Sequence, residues 1–313
     1  MTKNQFLTDA NAYLRFIRGN YAESTFDEKS RKLRYYADML YRLCQEGSVS
    51  SCNPRTMTKE DINAFVMYRR SCGIEDSTIC KDLGHIGDLL FFVKNNAMAE
   101  YKASYGNKKP SAYNGKLEPL PNDTIDKVYD LARSTDDWVT LEGCMAIILG
   151  CAAGLRLQEA RMLYASDVYY DDPRPTIDVR HVKGEGSWGR RRRVPLLDNV
   201  GDIFAKYMDM RQRKLEEHGI ESDAFFPPLR GDEEFVTQQS MSRFKAAVSK
   251  QIGEDFVLKD GRRAYGQRLL DKGVPIEFVS CSMGHSTVAT TQKYYANYRD
   301  SFVNSKIFDM IGQ

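Results

Sequence analysis

From Tyr101 to Leu120 the sequence loses its periodicity: Lys, Gly, Asn, Ser and Pro replace the spaced apolar residues found on either side, so no single core can run through this stretch. In a chain of 313 residues, that break leaves two blocks of ordinary domain size. Upstream of it, apolar residues recur at helical spacing, as in Phe6, Ala10, Tyr13, Leu14 and Ile17, or Leu33, Tyr36, Leu40 and Leu43. This predicts helices over about 5–18, 25–45, 58–72 and 77–95, the third opened by a capping box from Thr58 to Asp61. Downstream, helices are predicted over about 123–133, 138–152, 198–217 and 240–252. Between them Ile177–Val182 alternates, Gly184–Gly189 turns, and Arg193–Leu196 leaves as a second strand, which predicts a β-hairpin. The expected fold is therefore mainly α with a small β-hairpin: a helical domain over 1–104, a linker over 105–120, and an α+β domain over 121–313.

Composition narrows the chemistry. The longest apolar run, Cys144–Leu155, is broken by Gly150 and Gly154 and falls short of the ~20 residues a membrane span needs, and the N-terminus has no signal-like core. A cytoplasmic protein with no membrane association is the expectation. Seven cysteines without a CxxC pair, and four histidines without HxH or HExxH spacing, argue for free thiols and against zinc. Asp167, Asp171 and Asp172 form an acidic group in a strand-turn region, where solvated carboxylates are the ordinary reading, and no phosphate-binding loop is present. Neither a metal nor another cofactor is expected. The net charge of +2 says little about partners; local clusters at Arg190–Arg193, at Arg262-Arg263, and at Lys102, Lys108 and Lys109 of the linker say more.

Chemistry concentrates in Met283–Tyr295, where Gly284-His285 is followed by Thr290-Thr291-Gln292 and, nine residues after the histidine, by Tyr294. A free tyrosine has a pKa of ~10 and is a poor nucleophile unless cations surround its target. Three places supply them: Arg156 in Gly154-Leu155-Arg156-Leu157-Gln158-Glu159, Lys183 before the glycine-rich turn, and Lys259-Asp260-Gly261-Arg262. Taken singly, Arg156 reads as well as a surface arginine or as an ion pair with Glu159, and His285 as a structural histidine.

Together these motifs resemble the tyrosine recombinase (phage integrase) family, whose site combines an arginine in G-L-R-x-x-E, a hairpin lysine, an H/K-x-x-R box, a G-H pair and a tyrosine nine residues beyond. The likeness is close over the downstream block and looser over the upstream one, whose helices resemble the family's SAM-like core-binding domain. The resemblance implies a site-specific DNA recombinase or integrase. In that reading Tyr294 attacks a phosphate of double-stranded DNA, forms a 3′-phosphotyrosyl link and frees a 5′ hydroxyl, on a homo-tetramer assembled over paired sites, with room for accessory DNA-bending proteins. Arg156 and Arg262 would hold the phosphate, since a guanidinium fork bridges two oxygens where charge develops. Lys183 would be the general acid, and His285 would donate to a phosphate oxygen. Glu159 is expected to orient an arginine. Lys259 stands where histidine is usual, so it acts either as a base, if burial keeps it neutral, or as a third cation. Tyr295 is the second candidate nucleophile. Gly261 replaces a usual leucine, which keeps open a DNA-binding homologue with a weakened site; a type IB topoisomerase-like nicking-closing enzyme is the enzymatic alternative. No room is expected for an arm-site-binding domain ahead of the first helix. Past Tyr294, Phe302, Val303, Ile307, Met310 and Ile311 recur at helical spacing, and in the family such a tail docks into a neighbouring protomer.

Overall fold

The computed structural model describes residues 3–106, 109–111, 118–186, 189–294 and 308. The chain divides into two compact units, Met1–Gly115 and Lys116–Gln313.

The first unit is helical: α1 Lys3–Ile17, α2 Glu23–Gln45, α3 Lys59–Ser71, α4 Asp76–Phe92 and α5 Ala97–Ser104. The capping box is formed, with Thr58 Oγ1 accepting from the Asp61 amide and the Asp61 carboxylate accepting from the Thr58 amide. One core holds Phe6, Leu33, Tyr36, Phe65, Ile79 and Leu90. Inside it, Asp82 is fully buried and accepts from Tyr36 Oη at 2.5 Å and Arg69 Nε at 3.0 Å, so its charge is paired rather than stranded. The fifth helix departs from the sequence expectation. Ala97, Met98 and Tyr101 bury one side of α5 against this core, so the ordered helical unit runs into what composition marks as the start of the linker. Residues 107–108 and 112–117 of the linker lie outside the described residues.

The second unit is built around α7, Trp138–Ala153, of which every residue but Val139 is buried. A helix apolar on all sides must be surrounded. It packs against α6 Asn122–Ser134, α9 Gly201–His218, α10 Gln238–Ile252 and α11 Leu258–Asp271. Two close approaches involve glycine, and the first depends on it. A Cβ on Gly143 would lie 2.2 Å from the Phe244 carbonyl oxygen of α10, a backbone atom that cannot swing away. Gly143→Ala is therefore expected to cost about 1–3 kcal/mol of stability, read by urea unfolding of the whole protein. An unchanged midpoint would show that α7 and α10 can separate at no cost.

The second approach is between Gly150 of α7 and Gly261 of α11. A Cβ on Gly261 would sit 3.4 Å from both the Cys151 amide and the Ile147 carbonyl, and one on Gly150 would sit 3.4 Å from the Arg262 amide. These are ordinary van der Waals distances: α11 meets α7 along the two glycines, one residue before Arg262.

A small antiparallel sheet of order β1-β2-β3 flanks this core, with β1 Val168–Tyr169, β2 Thr176–Val179 and β3 Arg192–Pro195. Ile177 pairs with Val194 and both are fully buried. The hairpin is as expected, but β2 ends at Val179 instead of Val182, and β1 is a third, two-residue strand. Just past β2, Arg180 Nη2 pairs at 2.5 Å with the carboxylate of Asp167, which is buried and not solvated as the sequence suggests. Asp171 and Asp172 are exposed. The unit continues through α12 Ile276–Ser282 to α13 Val288–Tyr294. Among the described residues no helix is long and apolar enough to cross a membrane.

Candidate active site

The site begins where α7 stops. Gly154 takes a left-handed φ of +66° and caps the helix, donating its amide to the Gly150 carbonyl at 2.9 Å. Tyr265 of α11 packs so close that a Cβ on Gly154 would meet its ring at 2.4 Å, so both the turn and its neighbour require glycine here. The reversal places Arg156 at the N-cap of α8, Leu157–Arg161. Its amide donates to Glu159 Oε2 at 2.8 Å, its Nη1 to Glu159 Oε1 at 2.7 Å, and its Nη2 to the Gly284 carbonyl at 2.7 Å. Glu159, almost fully buried, is the hub of the site.

Two further arginines reach it. Arg192 donates through Nη2 to Glu159 Oε2 at 2.8 Å and through Nη1 to Oε1 at 3.1 Å, while its Nε bonds the Ser282 carbonyl at 2.7 Å. Arg262 approaches Glu159 Oε2 at 3.7 Å and donates to the carbonyls of Gly154 and Met283, each at 2.5 Å. Three guanidiniums surround one carboxylate, which leaves an excess of positive charge. Burial opposes ionisation of Glu159, but the bonds from Arg192 and the charges of Arg192, Arg262 and Arg156 outweigh it and hold its pKa below the ordinary carboxylate value. A lowered folded-state pKa contributes stability that is present above the unfolded value of about 4.5 and is lost as pH falls through the folded value. Glu159→Gln is accordingly expected to lower stability at pH 7, by about 3–5 kcal/mol for breaking a buried ion network, and to flatten the acid-side decline below pH ~4.5. Parallel pH–stability curves for the two proteins would show that Glu159 does not hold the arginines.

The motif containing His285 closes the site. Gly284 takes φ +62°, and a Cβ there would lie 2.8 Å from the Arg192 guanidinium, so glycine lets Arg192 slide beneath the turn. His285 then projects toward Arg262, its Nε2 3.0 Å from an Nη2 of that residue, and its Nδ1 lies 2.7 Å from Thr291 Oγ1 on α13. Burial, with the nearby charges of Arg262, Arg156 and Arg192, pushes its pKa down to about 3, so the ring is neutral at physiological pH. A guanidinium can only donate, so Nε2 accepts. In this arrangement the ring hydrogen of His285 sits on Nδ1.

Arg156, Arg262 and His285 are thus brought into one bonded network. The two lysines are not in it: Lys183 lies exposed in the turn after β2, and Lys259 lies exposed in the first turn of α11, one turn before Arg262. The turn around Lys183 is tight, with the Gly189 amide donating to the Gly184 carbonyl at 2.8 Å and a Cβ on Gly189 falling 2.3 Å from the Lys183 carbonyl oxygen. The backbone of α13 ends on Tyr294; the side chain of Tyr294, Tyr295 and the tail stripe from Phe302 to Ile311 lie outside the described residues. Arg192 was hidden in the run Arg190–Arg193. Its signal was strand parity, since residues two apart share a face: Val194 is buried and Arg192 points the same way, while Arg193 faces outward to Asp178 at 2.6 Å.

An anion site made of arginines, beside a helix that ends on a tyrosine, defines a candidate for phosphoryl transfer with a side-chain nucleophile. Comparison with known proteins agrees. The Phage integrase family matches residues 120–300. The chain is 22% identical over 274 residues to the tyrosine recombinase XerC of Mesorhizobium japonicum, covering 86% of this chain and 84% of that protein. It is 23% identical over 299 residues to the XerC of Neisseria meningitidis serogroup C, covering 94% and 92%. In fold it is similar to the Tn1549 transposon integrase in complex with a circular intermediate DNA, at a TM-score of 0.68 and 16% identity, covering 96% of this chain and 99% of that one. The chain belongs to the phage integrase family of tyrosine recombinases, enzymes that cleave and transfer DNA strands.

Proposed function

We propose that this chain recombines DNA at specific paired sites through a 3′-phosphotyrosyl intermediate, with Tyr294 as nucleophile. The Tyr294 oxygen loses its proton to water and forms a bond to phosphorus while the bond from phosphorus to the 5′ oxygen breaks. Arg156 and Arg262 hold the non-bridging oxygens as charge develops on them, Lys183 protonates the departing 5′ oxygen, and Lys259 adds positive charge. His285 completes the phosphate site. The observation that carries this reading is the convergence of Arg156, Arg192 and Arg262 on Glu159, next to the helix that ends on Tyr294. That excess charge is what a phosphate would neutralise.

The helical unit binds DNA together with the second unit, and four copies assemble over two sites in the cytoplasm, with accessory DNA-bending proteins where a site demands them. The tail supplies the link between copies: residues 302–311 dock into a neighbouring protomer, where burying each apolar side chain contributes ~1.5–3 kcal/mol. Deleting residues 301–313 is expected to leave binding of one protomer to a single site intact and to impair synapsis of paired sites, read by native gel and by recombinant product. A truncated protein that recombines at the full rate would overturn the tail assignment. Relaxation of supercoiled DNA by full-length protein, without need of a second site, would favour the nicking-closing alternative.

A further inference from the structure

His285 is the middle member of a chain that runs from Arg262 to Thr291. The partners dictate where its proton sits. Because Nε2 accepts from a guanidinium, the neutral ring carries its hydrogen on Nδ1 and donates it to Thr291 Oγ1 at 2.7 Å. Thr291 is fully buried, and it lies on α13 three residues before Tyr294.

A ring in this tautomer holds Arg262 but has nothing on Nε2 to give to a phosphate oxygen. To donate there, His285 must move its hydrogen to Nε2, and Nδ1 must then find a donor. A carbonyl or carboxylate opposite Nδ1 would forbid that change, because neither has a hydrogen; a hydroxyl permits it, because it both accepts and donates. We infer that Thr291 is a positioning residue whose hydroxyl lets His285 exchange tautomers, accepting from Arg262 before DNA is engaged and donating to a phosphate oxygen once the phosphate, in place of Nε2, accepts from Arg262. The inference rests on the reading of His285 as part of the phosphate site. The proton count is conserved: Nε2 takes one proton from water, Nδ1 returns one to water, and the Thr291 hydroxyl rotates to donate to Nδ1. The ring stays neutral throughout, consistent with the burial and neighbouring arginines that disfavour its charged form. The same hydroxyl ties the state of His285 to the seating of the helix that ends on Tyr294.

The test is nitrogen NMR of full-length protein carrying ¹⁵N-histidine, with the His285 signals identified by their loss in His285→Gln. In DNA-free protein Nδ1 is expected to be the protonated nitrogen. In Tyr294→Phe bound to duplex substrate, which holds the phosphate without cleaving it, the protonated nitrogen is expected to be Nε2. Thr291→Val should block that exchange and slow single-turnover cleavage by about 10–100-fold, the range typical when a metal-ligating histidine loses its orienting partner. Thr291→Ser should restore both. The same tautomer in free and bound protein would overturn the inference, as would a valine variant that cleaves at the parent rate. Because the tautomer is read without any cleavage, failure here is distinguishable from failure of the Tyr294 assignment.

Discussion

Tyr294→Phe is expected to abolish the covalent protein–DNA adduct, lowering strand cleavage by at least about 10⁴-fold, while affinity for a single site stays within about twofold. The substitution removes one oxygen and leaves the ring, so any contact the ring makes is kept, while the only atom able to bond phosphorus is lost. Binding is spread over many phosphate contacts and does not depend on that oxygen. Tyr295→Phe is the matched control and should retain the adduct. The reverse outcome, in which Tyr294→Phe forms the adduct and Tyr295→Phe does not, would move the nucleophile by one residue.

Arg262→Lys should lower cleavage by about 10²–10³-fold with little change in single-site affinity. Arg262 donates to the Gly154 and Met283 carbonyls and to His285, and stands beside Glu159, from a side chain only 5% exposed. A lysine is a point charge on a flexible stem, so it cannot reproduce a fork that is fixed on two sides and aimed on a third. Loss of a preorganised donor to the developing oxyanion costs about the amount stated. The control is Arg193→Lys, which alters an exposed pair with Asp178 on the outer face of β3 and should leave cleavage unchanged. If both variants cleave alike, Arg262 supports the fold and not the reaction. A lowered unfolding midpoint in Arg262→Lys is expected as well, and cleavage is therefore compared at a temperature where both proteins are folded.

The sequence made some parts of this molecule plain and concealed others, for physical reasons. Long helices such as α2 and α9 are legible because one apolar stripe must face a core, and a stripe repeats. The buried α7 is legible because it is apolar all round. Helix α5 was not, since Ala97, Met98 and Tyr101 are its only buried side chains and Lys102 and Ser104 blend with the linker composition. Strand β1 has two residues, too few to alternate. At the site, Arg156, Arg262 and His285 were legible because rigid spacing surrounds them, and the structure joins them through Glu159 and the Gly284 turn. Arg192 and Thr291 were not, because an arginine in a basic run and a threonine in a Thr-Thr pair look like surface residues until the fold turns them inward. Gly261, a departure from the family pattern, lies where α11 meets α7.

The most direct test of the whole account uses unmodified protein and a nicked duplex that carries its recombination site. The nick lies next to the cleavage point, so the freed 5′ hydroxyl fragment diffuses away and any covalent intermediate accumulates. The account predicts a protein–DNA adduct that survives denaturation and, after proteolysis and mass spectrometry, a nucleotide joined through its 3′ phosphate to Tyr294. A protein that binds this DNA but yields no adduct, or an adduct on another residue or through a 5′ phosphate, would contradict it.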